Sequence, residues 1–138
     1  MKTQIATNPE QSKRLLACGV DPNTADMSYV RYTSLKEDAL STIPYKMQYM
    51  PNKQPAWSLS ALLSLLPMEI KEDNDPYDEI STYGLLVYPY MQGWQIDYQY
   101  CEDDECHSLK CVHGSDLIEA CVKAIEYLTA NGYTLNTK

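Results

Sequence analysis

The chain has 138 residues, of which 44% are hydrophobic, and a net charge of −8. This length fits one domain with a core of its own, and the hydrophobic fraction excludes a disordered chain. The charge is uneven, because residues 1–69 carry a balance of +1 and residues 70–138 a balance of −9; such an acidic surface repels phosphate backbones, so direct nucleic-acid binding is not expected.

The first predicted element is a helix between Asn8 and Gly19. Asn8, Pro9 and Gln11 have the places of the N-cap, the first helical residue and the third residue of a capping box. Gly19 has the place of a residue with positive φ that ends a helix, and Val20 follows as the residue that packs back on the last turn. The sequence therefore predicts a helix with defined caps at both ends.

Residues 24–53 show no hydrophobic period that holds for more than six residues. We expect short strands over Ser28–Thr33 and Tyr45–Met50, the second because its apolar and aromatic residues alternate with polar ones. The pattern leaves the structure of this segment otherwise open.

The densest apolar cluster of the chain lies between Gln54 and Pro67. Four leucines recur there at helical spacing and form one apolar face: Leu59, Leu62, Leu63 and Leu66. Ser58 has the hydroxyl of an N-cap, Trp57 precedes it as in a hydrophobic staple, and Pro67 ends the helix. We expect other elements to pack around this leucine helix.

A polar connector, Lys71–Glu79, separates the leucine helix from a predicted hairpin. The hairpin strands are Tyr83–Tyr90 and Trp94–Cys101, and Gly93 is the turn residue expected to adopt positive φ. The second strand alternates aromatic and aliphatic residues with polar ones, which predicts one buried and one solvated face.

A third strand, Cys106–Val112, is predicted to return antiparallel after a four-residue acidic loop made of Glu102, Asp103, Asp104 and Glu105. A regular ladder then places four pairs opposite each other: Cys101 with Cys106, Tyr100 with His107, Tyr98 with Leu109, and Asp97 with Lys110. The acidic loop lacks the alternate spacing and the glycine of a calcium loop. We therefore interpret it as a solvated hairpin tip and as the candidate interaction surface.

The last predicted element is an amphipathic helix after Gly114. Ser115 is its expected N-cap, and Asn131-Gly132 closes it with Tyr133 packing back. Its apolar stripe is wide enough to cover a sheet and consists of Leu117, Ala120, Cys121, Ala124, Ile125 and Leu128.

Five potential zinc ligands fall within thirteen residues: Cys101, Cys106, His107, Cys111 and His113. On a strand, Cys106 and His107 point to opposite faces, and His107 and Cys111 lie about 13 Å apart at roughly 3.3 Å per residue. One metal ion cannot collect all of them, so this is a weak metal site, and half-buried thiols with sheet-face histidines are the simpler interpretation. We expect no cofactor.

Two other interpretations concern the cysteines. Cys101 and Cys106 flank the acidic loop and can form a cross-strand disulfide on oxidation, although thiols are expected in a cytosol. Cys111 and His113 share a strand face, but no Asn or Asp is evidently placed to orient the imidazole, so catalysis by Cys111 is a minor alternative.

The compartment follows from the cysteine count and from the first residues. Five cysteines form no regular framework, which is typical of reduced thiols rather than of a secreted disulfide scaffold. Met1–Thr7 contains no apolar segment of a signal peptide, and no apolar run approaches the roughly 20 residues of a membrane span. We expect a cytoplasmic protein without a membrane segment.

Several stretches resemble a group of small proteins from gut bacteria and their phages and mobile elements. They are Gln11-Ser12, Leu15-Leu16, Gly19–Met27, Pro55–Pro67 and the closing Asn131-Gly132-Tyr133, and together they cover about a third of the chain. The resemblance implies no activity, because the group has none assigned, and no catalytic residue is carried over from it.

Together these patterns predict a single α+β domain over residues 1–138. It consists of a small antiparallel sheet of three or more strands packed against helices, with the last helix on one sheet face. The expected core is Trp57, Leu62, Leu63, Leu66, Ile96, Leu109, Ala120, Ala124 and Leu128.

The preferred function is a non-enzymatic protein–protein interaction module, or an accessory factor of a mobile element, with an unidentified protein partner. The motivation is the missing catalytic constellation and the one-sided charge. One alternative is an acidic mimic of nucleic acid that occupies the basic groove of another protein. A second alternative is a cysteine-based enzyme or a small zinc-binding protein.

Overall fold

The computed structural model describes residues 4–31, 38–73 and 80–136. Among them are three α-helices: α1 (Pro9–Ala17), α2 (Leu59–Leu65) and α3 (Leu117–Ala130). The same described residues form seven strands: β1 (Met27–Val30), β2 (Ala39–Ser41), β3 (Gln54–Ala56), β4 (Glu69–Asp73), β5 (Ile80–Tyr90), β6 (Gly93–Glu102) and β7 (Glu105–Gly114). The predicted α+β class is therefore confirmed.

The strands form two antiparallel sheets rather than one. The larger sheet is a meander in the order β4-β5-β6-β7, and the smaller has the order β2-β1-β3. Helix α3 packs on β6 and β7, which confirms the prediction that the last helix covers one sheet face. Strands β1 and β2 of the smaller sheet lie in the segment where the sequence shows no period, and β3 follows directly after it, so only one of the three strands was expected.

Helix α1 follows its sequence signals closely. The side chain of Asn8 accepts a hydrogen bond from the backbone N–H of Gln11, and the reciprocal bond completes the capping box. Gly19 has a φ of +88°, and the Val20 N–H donates to the Leu15 carbonyl at 3.1 Å, as in a Schellman motif.

Arg14 joins α1 to α3. Its guanidinium lies 2.9 Å from the Glu119 carboxylate and also pairs with Glu126. Glu119 accepts a second hydrogen bond from the Gln11 amide at 2.9 Å. These contacts, made across more than 100 residues of sequence, fix the two helices side by side.

The core lies between α3, α2 and the inner face of the larger sheet. Seven of the nine predicted core residues are buried: Trp57, Leu62, Leu66, Ile96, Ala120, Ala124 and Leu128. Leu63 and Leu109 are only half-buried, and Leu65, which was not predicted, is buried at 2% exposure. The last described residue lies beside Leu65, because the Asn136 N–H donates to the Leu65 carbonyl at 2.9 Å.

Between β1 and β3 the predictions succeed only in part. The expected strand Ser28–Thr33 corresponds to β1, while its last two residues lie outside the described ones. The expected strand Tyr45–Met50 is wrong, because Tyr45–Met47 forms a 3-10 turn. The Lys53 ammonium holds this turn by donating to the Tyr45 carbonyl at 2.8 Å, a contact that the alternation of residue types does not reveal.

Two further boundaries differ from the expectation. The first three residues of the predicted polar connector, 71–73, belong to β4, and the rest of it lies outside the described residues. The N-cap of α3 is Asp116 rather than Ser115, since the Asp116 carboxylate accepts from the Glu119 N–H at 2.8 Å. No helix among the described residues is long and apolar enough to cross a membrane.

The turn between β5 and β6 also differs. Tyr90 pairs with Gly93, so the loop has two residues, Met91 and Gln92, and both adopt positive φ. Gly93 does not adopt positive φ. It is required by space instead, because a Cβ there would lie 2.7 Å from the His113 ring and 2.4 Å from the Gly114 carbonyl.

Candidate functional site

The end of the β6–β7 hairpin extends beyond the helices. Every residue from 101 to 108 is exposed, and we name this segment the acidic arm. Glu102 pairs with Glu105, so the turn consists of Asp103 and Asp104 alone, which adopt φ values of 50° and 66°. The predicted four-residue loop is therefore wrong, because Glu102 and Glu105 are the last residues of the two strands. The four carboxylates nevertheless lie together at the tip, as predicted.

The base of the acidic arm carries an aromatic cluster on the face that α3 covers further along the sheet. The rings of Tyr83 and Tyr100 are 5.9 Å apart, and the Tyr100 ring stacks on the His107 ring at 6.3 Å. The Tyr100 hydroxyl donates to the Glu102 carboxylate. This pairing of Tyr100 with His107 confirms the predicted register at this position.

A disulfide joins Cys101 and Cys106 across the acidic arm. The two residues were correctly predicted to lie opposite each other, and their Cα atoms are 4.0 Å apart. The expectation that they remain thiols is wrong for this structure. The pairing succeeds because Cys101 and Cys106 form the second pair from a two-residue turn, and facing positions of an antiparallel ladder bring their Cβ atoms on one face within bonding reach.

A β-bulge changes the register further along the hairpin. The ladder shifts between Tyr98 and Gln99, so Tyr98 faces Lys110 and Asp97 faces Cys111. The predicted pairs of Tyr98 with Leu109 and of Asp97 with Lys110 are therefore wrong. Lys110 lies on the inner face instead, with its ammonium 5.5 Å from the centre of the Tyr127 ring.

The bulge leaves Asp97 buried on the outer face of the sheet, with only 2% of it exposed. Its carboxylate accepts hydrogen bonds from the Ser108 hydroxyl at 2.5 Å and from the Gln99 amide at 2.7 Å. The contacts satisfy a charge that would otherwise be costly to bury. Sequence reasoning missed this network, because Ser108 reaches Asp97 only after the register shift.

The five candidate metal ligands do not converge. Cys101 and Cys106 are bonded to each other, and His107 lies on the inner face, opposite to Cys111 and His113. The Nε2 atom of His113 is 3.0 Å from the Tyr90 carbonyl oxygen. In the part of the chain that the structure describes, no three His, Cys, Asp or Glu side chains are placed to hold a metal ion.

Cys111 is the half-buried thiol of the outer face. Its sulfur accepts a hydrogen bond from the Gln95 amide and lies 4.0 Å from the Tyr88 hydroxyl. Burial raises the pKa of Tyr88 above its ordinary value, and the contact with Cys111 is the second largest cause of the rise. His113 shares the face as predicted, but its Nε2 is engaged by the Tyr90 carbonyl rather than by the thiol.

Two grooves open on other sides of the molecule. One of about 310 Å³ runs along the polar face of α2, and its carboxylate, Asp26, already accepts from the Ser58 N–H at 2.9 Å. The other, of about 230 Å³, lies between Val20, Leu65 and Tyr133. The contacts of Asp26 support the N-cap of α2, and the Asp21 carboxylate of the second groove accepts from the Asn23 N–H at 2.9 Å. Both carboxylates therefore have structural roles.

Comparisons with known proteins add no relative from which a role could be transferred. No family model, no curated protein and no solved structure matches the chain. The function must therefore be argued from the geometry of the chain itself.

Proposed function

We propose that this protein is a non-enzymatic interaction module whose acidic arm binds a basic surface of a protein partner. The observation that supports this proposal is the exposure of all eight arm residues, with four carboxylates gathered at the tip. A hairpin that extends away from the core adds little to the stability of the domain. Its charge and shape are available for a second molecule.

The charge distribution supports a basic partner. Single exposed ion pairs contribute only about 0–1 kcal/mol each, so four carboxylates act mainly by steering the encounter and by excluding acidic partners. Such attraction weakens as salt rises, because the Debye length falls from about 10 Å at 0.1 M to about 3 Å at 1 M. The half-buried ring of Tyr100 at the base of the arm offers additional contact area.

The other predicted functions rank below this one. A mimic of nucleic acid would use the same carboxylates, so it differs only in the partner, which would then release bound DNA or RNA when the arm docks. A cysteine enzyme or a zinc protein receives less support, because the Nε2 of His113 is engaged by a carbonyl and the candidate ligands face different sides of the sheet.

The test compares two variants with the same change of charge. D103N/D104N removes two charges from the tip, and asparagine tolerates the positive φ of both positions. E10Q/E69Q removes two exposed charges from outside the arm. Each tagged protein is used to capture partners from host lysate at low and at high salt.

The proposal expects one basic partner that the wild-type chain and E10Q/E69Q retain at low salt and that D103N/D104N loses. Adding a DNA or RNA duplex as competitor distinguishes a nucleic-acid mimic from other acidic ligands. Equal capture by both variants would show that the tip does not carry the interaction.

The cytoplasmic location and the accessory role in a mobile element belong to the same proposal. The odd number of cysteines supports the location, whereas the Cys101–Cys106 disulfide argues against it. The thiols are alkylated in intact cells before lysis, and the labelled cysteines are counted by mass spectrometry. The count decides whether Cys101 and Cys106 are thiols or a disulfide in the cell.

A further inference from the structure

We infer that the Cys101–Cys106 disulfide is a redox-sensitive clamp that sets the order of the acidic arm. Through that order it regulates how strongly the arm binds a basic partner, and this second step rests on the function proposed above. The clamp itself is a property of the hairpin and is testable without any partner.

The first argument concerns what holds the arm in place. All eight of its residues are exposed, and beyond Tyr100 the two strands are held by their own ladder, by the disulfide and by three surface contacts. These contacts are the stacking of His107 on Tyr100, the hydrogen bond from the Tyr100 hydroxyl to Glu102, and the 3.9 Å approach of Glu105 to His107. The turn residues Asp103 and Asp104 both adopt positive φ, which is uncommon for residues other than glycine. A two-stranded ribbon without a core is marginally stable in water, so the covalent bond is the dominant restraint on the open forms of the arm.

The second argument concerns access. Cys101 and Cys106 are both exposed, whereas the thiol of Cys121 is buried in the core. Exposed disulfides are the ones that thiols reach and reduce while the protein remains folded. Cys111 lies five residues further along β7, about 16 Å away at roughly 3.3 Å per residue, so it does not exchange with the clamp while the strand is intact.

The chemistry requires a dithiol as the reductant. One thiolate of the dithiol attacks the sulfur of Cys101 or Cys106, the S–S bond breaks, and a mixed disulfide forms as the other cysteine leaves as a thiolate. The second thiolate of the dithiol then displaces the protein sulfur and forms its own internal disulfide. Two electrons and two protons pass to the protein, which ends with two thiols, and the dithiol ends oxidised.

The first experiment measures the order of the arm. The full chain is treated with dithiothreitol under native conditions, and amide hydrogen exchange is followed by NMR in the oxidised and the reduced forms. Alkylation of the reduced chain should label two cysteines that are not labelled in the oxidised chain, Cys101 and Cys106. Reduction should also speed amide exchange at residues 101–108 and leave exchange in α3 unchanged. The loop-closure relation for the ring of residues 101–106 limits the acceleration to about fortyfold.

The variant C101S/C106S serves as the control. It should exchange at residues 101–108 like the reduced chain and should not respond to dithiothreitol. Unchanged exchange in the arm after complete reduction would overturn the inference, because the disulfide would then not order the arm. Loss of protection in α3 as well would also overturn it, because the disulfide would then stabilise the whole domain.

The second experiment uses decalysine as a basic probe and measures its affinity by titration calorimetry at low salt. We expect reduction to weaken the binding of decalysine to the wild-type chain by up to about fortyfold. Dithiothreitol should leave the binding of decalysine to C101S/C106S unchanged. If decalysine binds through the tip with equal affinity in both redox states, the proposed function stands and the regulatory step fails. If D103N/D104N binds decalysine as tightly as E10Q/E69Q, the proposed function fails, and the exchange data alone decide on the clamp.

Discussion

Replacing Gly93 with alanine tests how closely β6 and β7 approach each other at the end of their hairpin that is opposite to the acidic arm. A Cβ at this position would lie 2.4 Å from the Gly114 carbonyl oxygen and 2.7 Å from Nε2 of His113. The ring can rotate away if it gives up its contact with Tyr90, which is worth about 1 kcal/mol. The carbonyl belongs to β7 and can move only if the strand moves. We therefore expect G93A to lower the free energy of unfolding by about 2–3 kcal/mol, or the Tm by about 6–12 °C.

Gly84 supplies the matched control on the neighbouring strand. The nearest atom to a Cβ there is the Gln99 carbonyl oxygen at 4.0 Å, so G84A fits without movement. It should leave stability unchanged or raise it by about 0.5 kcal/mol, because alanine restricts the unfolded chain more than glycine does. Urea denaturation followed by tryptophan fluorescence measures both variants. Equal stability of G93A and G84A would refute the steric reasoning and, with it, the placement of β7 beside Gly93.

Caps, an ion pair and a buried thiol provide three further expectations. D116A should lose about 1 kcal/mol in urea denaturation and S115A less than about 0.5 kcal/mol, and the reverse order would restore Ser115 as the N-cap. Burial raises the pKa of Glu119, but the hydrogen bonds from Arg14 and a neighbouring amide outweigh it and leave that pKa below its ordinary value of 4.5. The stabilisation that ionised Glu119 contributes is therefore complete above pH 4.5, and it is lost as the pH falls through the lower pKa of Glu119 in the folded protein. Between about pH 5 and pH 3, R14M should therefore lose less stability than the wild type. Parallel curves of stability against pH for the two proteins would contradict the pairing. Burial raises the pKa of Cys121 to about 12, so maleimide at pH 8 should label this thiol only after unfolding. Native labelling of Cys121 as fast as that of the half-buried Cys18 would contradict its burial.

The parts predicted correctly from the sequence are those in which neighbouring residues decide the structure. Asn8 and Gln11 bond each other within one turn, and Gly19 ends α1 because only glycine adopts positive φ there without strain. The alternation in β6 and the wide stripe of α3 identify a sheet face and the helix that covers it. The facing of Cys101 and Cys106 follows in the same way from a short turn and an antiparallel ladder.

The candidate site was predicted less completely, because it depends on register. A single extra residue at the bulge moves Lys110 to the inner face and brings Ser108 to Asp97. Residue types alone suggested an ion pair between Asp97 and Lys110 instead. The bulge is stabilised by contacts on both faces of the sheet, and the inner one, between Lys110 and the Tyr127 ring, exists only after α3 has docked.

The sequence by itself determined the helices, the caps of α1, the hairpins formed by β5, β6 and β7, and the acidic tip, since each depends on interactions between residues close in the chain. Only the tertiary structure decided the smaller sheet, the 3-10 turn held by Lys53, the burial of Leu65 and the bulge beside Asp97. In each of these the partner lies on another element or is reached only through a register shift. The pattern of residue types records which surfaces are apolar, whereas the contacts between elements select the neighbour that each surface meets.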